Sequence, residues 1–184
     1  ISYLARVNYA YRDRYLLTAT FRADGSSKFS PSHRWGYFPS VGLGWVISEE
    51  AFMQPLKKVV DFAKLRVSWG KLGNDKIGNY LYYPTINPKG KQVIINGVTQ
   101  FIPTLSYDID KNIHWEVMTG VDVGLSAQLF NNRLSMELGY YSKTTDDLLA
   151  YVSPSSSIGA GYAITNAGSI NNKGFEFSVS WKDR

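Results

Sequence analysis

The sequence contains no cysteine, so no disulfide framework and no thiolate metal site can hold it together. That suits a barrel that needs no staples and equally suits many cytosolic proteins, so no compartment follows from it. Nor is there any apolar run approaching 18 residues, which excludes a membrane-spanning helix. If the chain crosses a membrane it must do so as strands of a closed barrel, because only that alternative satisfies every backbone group in lipid. Positive charge is not concentrated either. The 20 Lys and Arg against 15 Asp and Glu leave +5 spread along the chain without a basic run, so nucleic acid is not an expected partner.

What is abundant is aromatic: 13 Tyr, 9 Phe and 5 Trp, with 16 Gly, in a chain whose 44% hydrophobic content is otherwise ordinary. This mixture suits a β protein with aromatic side chains at its strand ends. The longest ordered pattern runs from Trp115 to Tyr141. Odd positions from 115 to 129 are mostly apolar and even positions mostly small or polar, which is the period of a strand. After Phe130-Asn131-Asn132-Arg133 the apolar set moves to Leu134, Met136, Leu138 and Tyr140. A two-residue turn at Asn131-Asn132 would pair Leu129 with Leu134, Leu125 with Leu138 and Val123 with Tyr140, keeping every apolar residue on one face. At about 3.3 Å per residue such a strand reaches roughly 50 Å, more than a soluble sheet usually needs. The opposite face, with Asp122, Gly124, Ser126, Glu137 and Gly139, suits water better than the second side of a sandwich.

The same reading extends along the chain. Tyr3, Ala5, Val7, Tyr9 and Tyr11 share one parity with Tyr15, Leu17, Ala19 and Phe21, and a turn at Arg12-Asp13-Arg14 would pair Tyr11 with Tyr15. A third strand spans 37–47, and Ser48 is placed to cap a short helix with Glu49 and Glu50 in its first turn and Pro55 limiting it. Ala63, Leu65, Val67 and Trp69 mark a fourth strand, and Phe175, Phe177, Val179 and Trp181 a seventh. Between them lie a long excursion, 71–114, with a hairpin signal at Asn96-Gly97, and a Ser-, Gly- and Tyr-rich loop from Ala150 to Asn172. Short and long connections therefore alternate, which sorts tight turns to one end and long loops to the other, as in outer-membrane barrels. That orientation places Tyr3, Phe21, Tyr37, Trp69, Trp115, Tyr140 and Phe175 near an outer interface, and Tyr9, Tyr11, Tyr15, Trp45 and Trp181 near an inner one. The expected fold is all-β, an antiparallel transmembrane β-barrel segment of about seven strands from a larger barrel.

Longer strings are specific. Phe21-Arg22-Ala23-Asp24-Gly25-Ser26-Ser27-Lys28-Phe29, Arg34-Trp35-Gly36-Tyr37-Phe38-Pro39-Ser40, Gly44-Trp45-Val46-Ile47-Ser48-Glu49-Glu50 and Leu65-Arg66-Val67-Ser68-Trp69-Gly70-Lys71-Leu72-Gly73-Asn74 stand in this order. With Trp115-Glu116, Phe130-Asn131-Asn132-Arg133-Leu134, Tyr140-Tyr141, Asp147-Leu148-Leu149, Asn166-Ala167-Gly168 and Asn172-Lys173-Gly174-Phe175-Glu176, the chain resembles the SusC/RagA class of TonB-dependent outer-membrane transporters over nearly its whole length. The resemblance implies a barrel of about 22 strands closed by a plug. It further implies a SusD-like surface lipoprotein partner, energy from TonB, and import of glycans or peptides through the outer membrane of a Gram-negative bacterium. Residues 1–184 are then expected to be part of the barrel domain, a C-terminal barrel fragment without the plug. The start at Ile1-Ser2-Tyr3 and the stop at Trp181-Lys182-Asp183-Arg184 fit a piece of a longer chain.

Candidate chemistry is sparse. His33 and His114 are far apart in sequence with no cysteine or tight carboxylate cluster, and read as loop or rim residues rather than metal ligands. Asp108 with Asp110, and Asp146 with Asp147, offer two carboxylates each for calcium but no Gly-spaced calcium loop, and read as solvated turns. No cofactor or metal is expected. Glu116, Asp122, Glu137 and Glu176 read as barrel lining rather than a glycosidase pair, so no enzyme activity is expected. Arg6, Arg22, Lys64, Arg66, Asp122, Glu137 and Glu176 are the expected lumen-lining set, and Tyr80, Tyr82, Tyr83, Tyr107, Tyr151 and Tyr162 in the long loops the candidate substrate-binding aromatics. The rival fold is a soluble β-sandwich that binds carbohydrate, and the rival activity a barrel hydrolase.

The two folds separate in solution. An isolated wall segment with open sheet edges and an apolar face is expected to aggregate in buffer and to require detergent and the remainder of its chain, whereas a sandwich refolds alone in water. Refolding of residues 1–184 with and without detergent, followed by sedimentation, distinguishes them.

Overall fold

The computed structural model of the chain describes residues 1–79, 81–83, 86–105, 110, 112–152 and 163–183. Its main body is one antiparallel sheet of seven strands, in the order β1 (Ser2–Tyr11), β2 (Tyr15–Gly25), β3 (Trp35–Val46), β4 (Val60–Asn74), β7 (Glu116–Leu129), β8 (Leu134–Asp146) and β11 (Ser169–Trp181). Two ribbons stand in the long connections: β5 (Ile86–Ile95) with β6 (Val98–Leu105), and β9 (Leu149–Val152) with β10 (Ala163–Asn166).

The turn chemistry sets the register. Tyr11 pairs with Tyr15 and Val7 with Ala19 across a turn in which Arg12 and Asp13 both take positive φ and the Arg14 amide donates to the Tyr11 carbonyl at 3.1 Å. Leu129 pairs with Leu134, Leu125 with Leu138 and Val123 with Tyr140, and Asn131 and Asn132 hold φ of 56° and 60° as a type I′ turn requires. Phe130 also adopts positive φ, which its sequence does not announce. Asn96 and Gly97 make the same left-handed pair at the tip of β5–β6. Strands β4 and β8 extend beyond their apolar patterns, to Asn74 and Asp146, because the ladder continues through polar residues such as Lys71, Lys143 and Thr144.

These registers align rows across the sheet. One row runs Arg6, Thr20, Ser40, Gly70, Gly120, Lys143 and Asn172, and a parallel row two residues away runs Asn8, Thr18, Gly42, Ser68, Asp122, Tyr141 and Gly174. The opposite face carries Val7, Val41, Val67, Val121 and Phe175. No second sheet covers it among the described residues: Val123, Leu138 and Val179 are 36%, 42% and 48% exposed. A sandwich core would bury these positions, so the sheet is a curved single wall rather than half of a sandwich.

Aromatic side chains band both ends of the apolar face. Tyr3 stacks on Trp35 at 6.0 Å and Phe21 on Tyr37 at 6.2 Å toward the long-loop end, while Tyr140 meets Phe175 at 4.9 Å midway along β8 and β11. Tyr11 and Tyr15 stack at the other, where Trp45 pairs with Tyr15 and Trp181 closes β11 at the far edge of the sheet. Trp115 corrects the expected girdle. It lies one residue before β7 and is buried among loop side chains rather than on the apolar face.

The connection after β3 corrects another expectation. Ser48 does not cap a helix. It lies inside a 3₁₀ turn, Ile47–Glu49, whose N-cap position is Val46, and a second 3₁₀ helix, Ala51–Leu56, contains Pro55. Ser48 is buried with its hydroxyl unpartnered among the described residues, and Glu50 makes the polar contacts here. The Glu50 carboxylate accepts from Tyr15 Oη at 2.7 Å and Trp45 Nε1 at 3.1 Å and sits 3.5 Å from Arg14. The short-turn end is tied further by the Val46 amide to Arg14 O, the Phe130 amide to Val59 O, the Lys182 amide to Arg133 O, and the Asn132 amide to the Asp61 carboxylate. Adjacent turns therefore hold one another.

The Tyr15 hydrogen bond, then that of Trp45, lowers the pKa of Glu50 below its ordinary 4.5. A lowered carboxylate pKa contributes stability that is fully present above pH 4.5 and is lost as pH falls through the lowered value. Heat-modifiability of the full-length protein between pH 3 and 7 is expected to show Glu50→Gln less stable than wild type near neutrality, with the two converging at the acid end.

Candidate functional site

The polar face of the wall and the loops at its long-connection end hold the candidate site residues. Register puts Arg6, Arg22, Lys64, Arg66, Asp122, Glu137 and Glu176 on one face. Charges there are largely matched. Arg66 crosses the backbone at Gly124, where any Cβ would strike its guanidinium, and reaches Glu137 two strands away. Lys143 stands 3.9 Å from Asp122, Arg22 engages Asp24 through Nε and Nη2 at 2.8 and 2.7 Å, and Arg6 Nε donates to Thr20 Oγ1 at 3.3 Å. Lys64 lies over Gly44, and Glu176 beside Gly139. Arg6, Asp122 and Lys143 edge an open depression of about 420 Å³ floored by Gly42, Gly70 and Gly120. Small residues on the floor and flexible charged side chains at the edge give a hydrated surface that offers many hydrogen bonds, and Asp24, the charge buried beside it, is paired with Arg22.

At the long-loop end the wall opens. β3 and β4 pair only from Ser40–Gly70 to Val46–Lys64, although β3 begins at Trp35 and β4 runs on to Asn74. Phe38 occupies the parting: a methyl group at Gly36 or Gly73 would overlap its ring. Phe38 meets Trp115 edge-on at 5.4 Å, Trp115 meets Phe29 at 5.2 Å, and Ile113 completes a buried cluster against Ile77, Tyr82, Val117, Leu149 and Ile164. Trp115 Nε1 donates to the Arg34 carbonyl at 3.2 Å. Segments from the three long connections and two strand ends thus share one apolar knot.

Polar clamps surround the knot. Asn166 accepts from the His114 amide at 2.9 Å and donates to the His114 and Asp147 carbonyls at 3.0 and 2.8 Å. Glu116 accepts from Asn74 Nδ2 at 3.0 Å and from the Leu149 amide at 3.3 Å. Asp75 accepts from Ser26 Oγ at 2.9 Å and sits 3.8 Å from Lys28. The loop carboxylates are thereby committed to structure. Asp110 receives Thr165 and the Asn112 amide, Asp146 receives Ser169, and Asp147 faces His114. Among the described residues no three His, Asp or Glu converge at metal-binding distance. Asp108 lies outside the described residues.

Of the loop tyrosines, Tyr80, Tyr107 and Tyr162 lie outside the described residues. Tyr82 packs on the apolar knot and against Tyr83 at 4.5 Å, while Tyr83 and Tyr151 are exposed, the latter at 75%. Sequence separation concealed the histidines' neighbourhood. His33 and His114 come together with ring centroids 6.0 Å apart, because the Trp115–Arg34 bond brings their segments side by side. The Asn166 clamp was visible only as part of a longer string, since an Asn beside Gly168 reads locally as a turn.

The comparisons with known proteins agree with this architecture. Residues 2–183 match the family model described as TonB dependent receptor-like, beta-barrel. The chain belongs to the TonB-dependent receptor β-barrel family. It is 41% identical to the TonB-dependent receptor P26 of Formosa agariphila over 183 residues, and 38% identical to the TonB-dependent receptor SusC of Bacteroides thetaiotaomicron over 186. These matches cover 97% and 99% of the chain and 18% of each relative. Among solved structures it superposes on the RagAB peptide importer in its "closed-closed" state with a TM-score of 0.83 at 28% identity, covering 97% of the chain and 19% of the other. The chain thus spans under a fifth of the length of these relatives. The likeness to SusC and RagAB places it in the SusC/RagA class, as one stretch of receptor wall.

The knot generates a stability prediction. Trp115→Ala is expected to cost the full-length receptor about 3–5 kcal/mol and Gly73→Val about 1–3 kcal/mol, while Tyr3→Ala on the exposed face costs less than either. Melting of the purified receptors in detergent checks the order.

Proposed function

We propose that this stretch is part of the outer-membrane wall of a SusC-type nutrient importer. It would act together with a SusD-like surface lipoprotein and draw energy from TonB through parts of the protein beyond these residues. Residues 1–184 would belong wholly to the barrel domain. The observation that carries this reading is a sheet with one exposed apolar face banded by aromatic side chains and one charged, hydrated face, in a chain matching a receptor family throughout. The apolar face meets lipid of a Gram-negative outer membrane. Arg6, Arg22, Lys64, Arg66, Asp122, Glu137 and Glu176 line the inner path, where the Arg66–Glu137 and Lys143–Asp122 pairs help to present a wet surface.

Substrate is either an oligosaccharide or a peptide. Exposed Tyr83 and Tyr151 supply flat faces for sugar rings or apolar side chains, and Tyr80, Tyr107 and Tyr162 belong to the same loops by sequence. No covalent chemistry is assigned to this wall: Glu116, the carboxylate best placed near the mouth, is engaged by Asn74 and Leu149.

Uptake of fluorescent oligosaccharides and oligopeptides by cells carrying the full-length gene tests the assignment. Import of one class is expected to require both the gene and an energised TonB system, and equal uptake in the deletion strain overturns the proposal. Tyr83→Ala and Tyr151→Ala are each expected to weaken cargo binding about two- to tenfold, equivalent to about 0.5–1.5 kcal/mol of ring contact, without altering the amount of receptor in the membrane.

A further inference from the structure

The parting between β3 and β4 creates a second feature, at the long-loop end of the wall. Beside the Phe38–Trp115 contact is an open depression of about 410 Å³, whose margin includes Lys71, His33, His114, Ser32, Trp35 and Tyr37. Three of these lie on strands and share the outward parity. Trp35 stacks on Tyr3, Tyr37 stacks on Phe21, and Lys71 follows Trp69 by two residues on the same face. Two residues of strand correspond to about 6–7 Å, so Lys71 stands one headgroup's height beyond Trp69, with Trp35 and Tyr37 of the aromatic band beside it. Below the aromatic band the face is apolar, with Val41, Val67 and Val121.

The margin is rich in donors and nearly empty of free acceptors. Lys71 forms no ion pair among the described residues. His33 uses Nδ1 toward Ser30 and Ser32, at 3.2 and 3.1 Å, which turns Nε2 away from those partners. His114 donates from Nδ1 to the Asn112 carbonyl at 2.7 Å and holds its Nε2 3.3 Å from Asp147. Among the described residues the carboxylate that contacts this group is Asp147, which is turned to His114. The exposed rings of Trp35 and Tyr37 add flat apolar surface next to the donors. A phosphate beside a sugar ring, tethered to acyl chains, matches that combination of cation, donors, ring faces and a greasy strip below.

We propose that this notch binds the phosphorylated headgroup of an outer-leaflet glycolipid, with Lys71 and His33 on the phosphate and Trp35 and Tyr37 against the sugar. The strand residues assigned to the ligand, Trp35, Tyr37 and Lys71, have the parity opposite to the charged set Arg22, Arg66 and Asp122. The site rests on the wall facing lipid, and the test separates the two.

Delipidated full-length receptor is incubated with phosphorylated lipid A, with the same lipid A after phosphatase treatment, or with phosphatidylethanolamine vesicles, and retained lipid is counted by mass spectrometry. Wild type is expected to retain phosphorylated lipid A at least fivefold over the dephosphorylated form. The Lys71→Gln/His33→Gln receptor is expected to lose that preference while still retaining phosphatidylethanolamine and melting as wild type. Lys58→Gln, at the short-turn end, is expected to keep the preference. An unchanged preference in the double variant overturns the site, as does equal binding of both lipid A forms. Displacement by millimolar inorganic phosphate alone overturns the lipid assignment in favour of a free anion. Failure to retain any lipid, phosphatidylethanolamine included, overturns the lipid-facing wall itself.

Discussion

Parity held across hydrogen-bonded neighbours is the constraint on which the rest of this wall depends. Side chains alternate along a strand, so a slip of one residue in any of the six ladder pairings would turn charged side chains onto the apolar face. The registers Val7–Ala19–Val41–Trp69–Val121–Ser142–Lys173 keep one parity across all seven strands, and the shift between Val60 and Phe62 is confined to the start of β4. Two left-handed turns and the ties among neighbouring turns through Arg14, Glu50, Val59 and Arg133 enforce it at one end. The other end is freed for a different task.

That freedom explains why the two ends differ so much in design. At the short-turn end contacts are local and polar, and every connection touches its neighbour. At the opposite end three long connections meet around Phe29, Phe38, Ile113 and Trp115, with Asn166, Glu116 and Asp75 satisfying backbone and side-chain groups that the parting of β3 and β4 would otherwise strand. The small buried core of this stretch is therefore a loop core, set above the wall rather than within it. Lining residues on the charged face follow the same economy of space: Arg66 reaches Glu137 because Gly124 offers no side chain to obstruct it.

The wall itself was legible in the sequence because its signals are local. Alternation from Val117 to Leu129 and the Asn131-Asn132 turn specify a pairing within a few residues, and the observed register is that pairing; the Asn96-Gly97 signal marks a ribbon that the structure also has. The mouth was not legible in the same way. Trp115 continues the alternation of β7 and so reads as another girdle residue, but its burial is decided by Phe29, Phe38 and the Arg34 carbonyl, all distant in sequence. Ser48 carries the local signature of a helix cap, yet the acidic residue two positions on draws Tyr15, Trp45 and Arg14 and the chain takes 3₁₀ turns instead. His33 and His114 meet for the same non-local reason.

The element order of the sheet also bears on how such a wall forms. β1–β2 and β7–β8 are hairpins that can close in microseconds, but β7 must find β4 across the whole stretch from Asp75 to Trp115. Closure entropy grows with the logarithm of the free length, so a segment that first folds upon itself as the β5–β6 ribbon shortens the search. A ribbon that closes first would act as a kinetic staple, gathering slack chain for the widest gap in the wall.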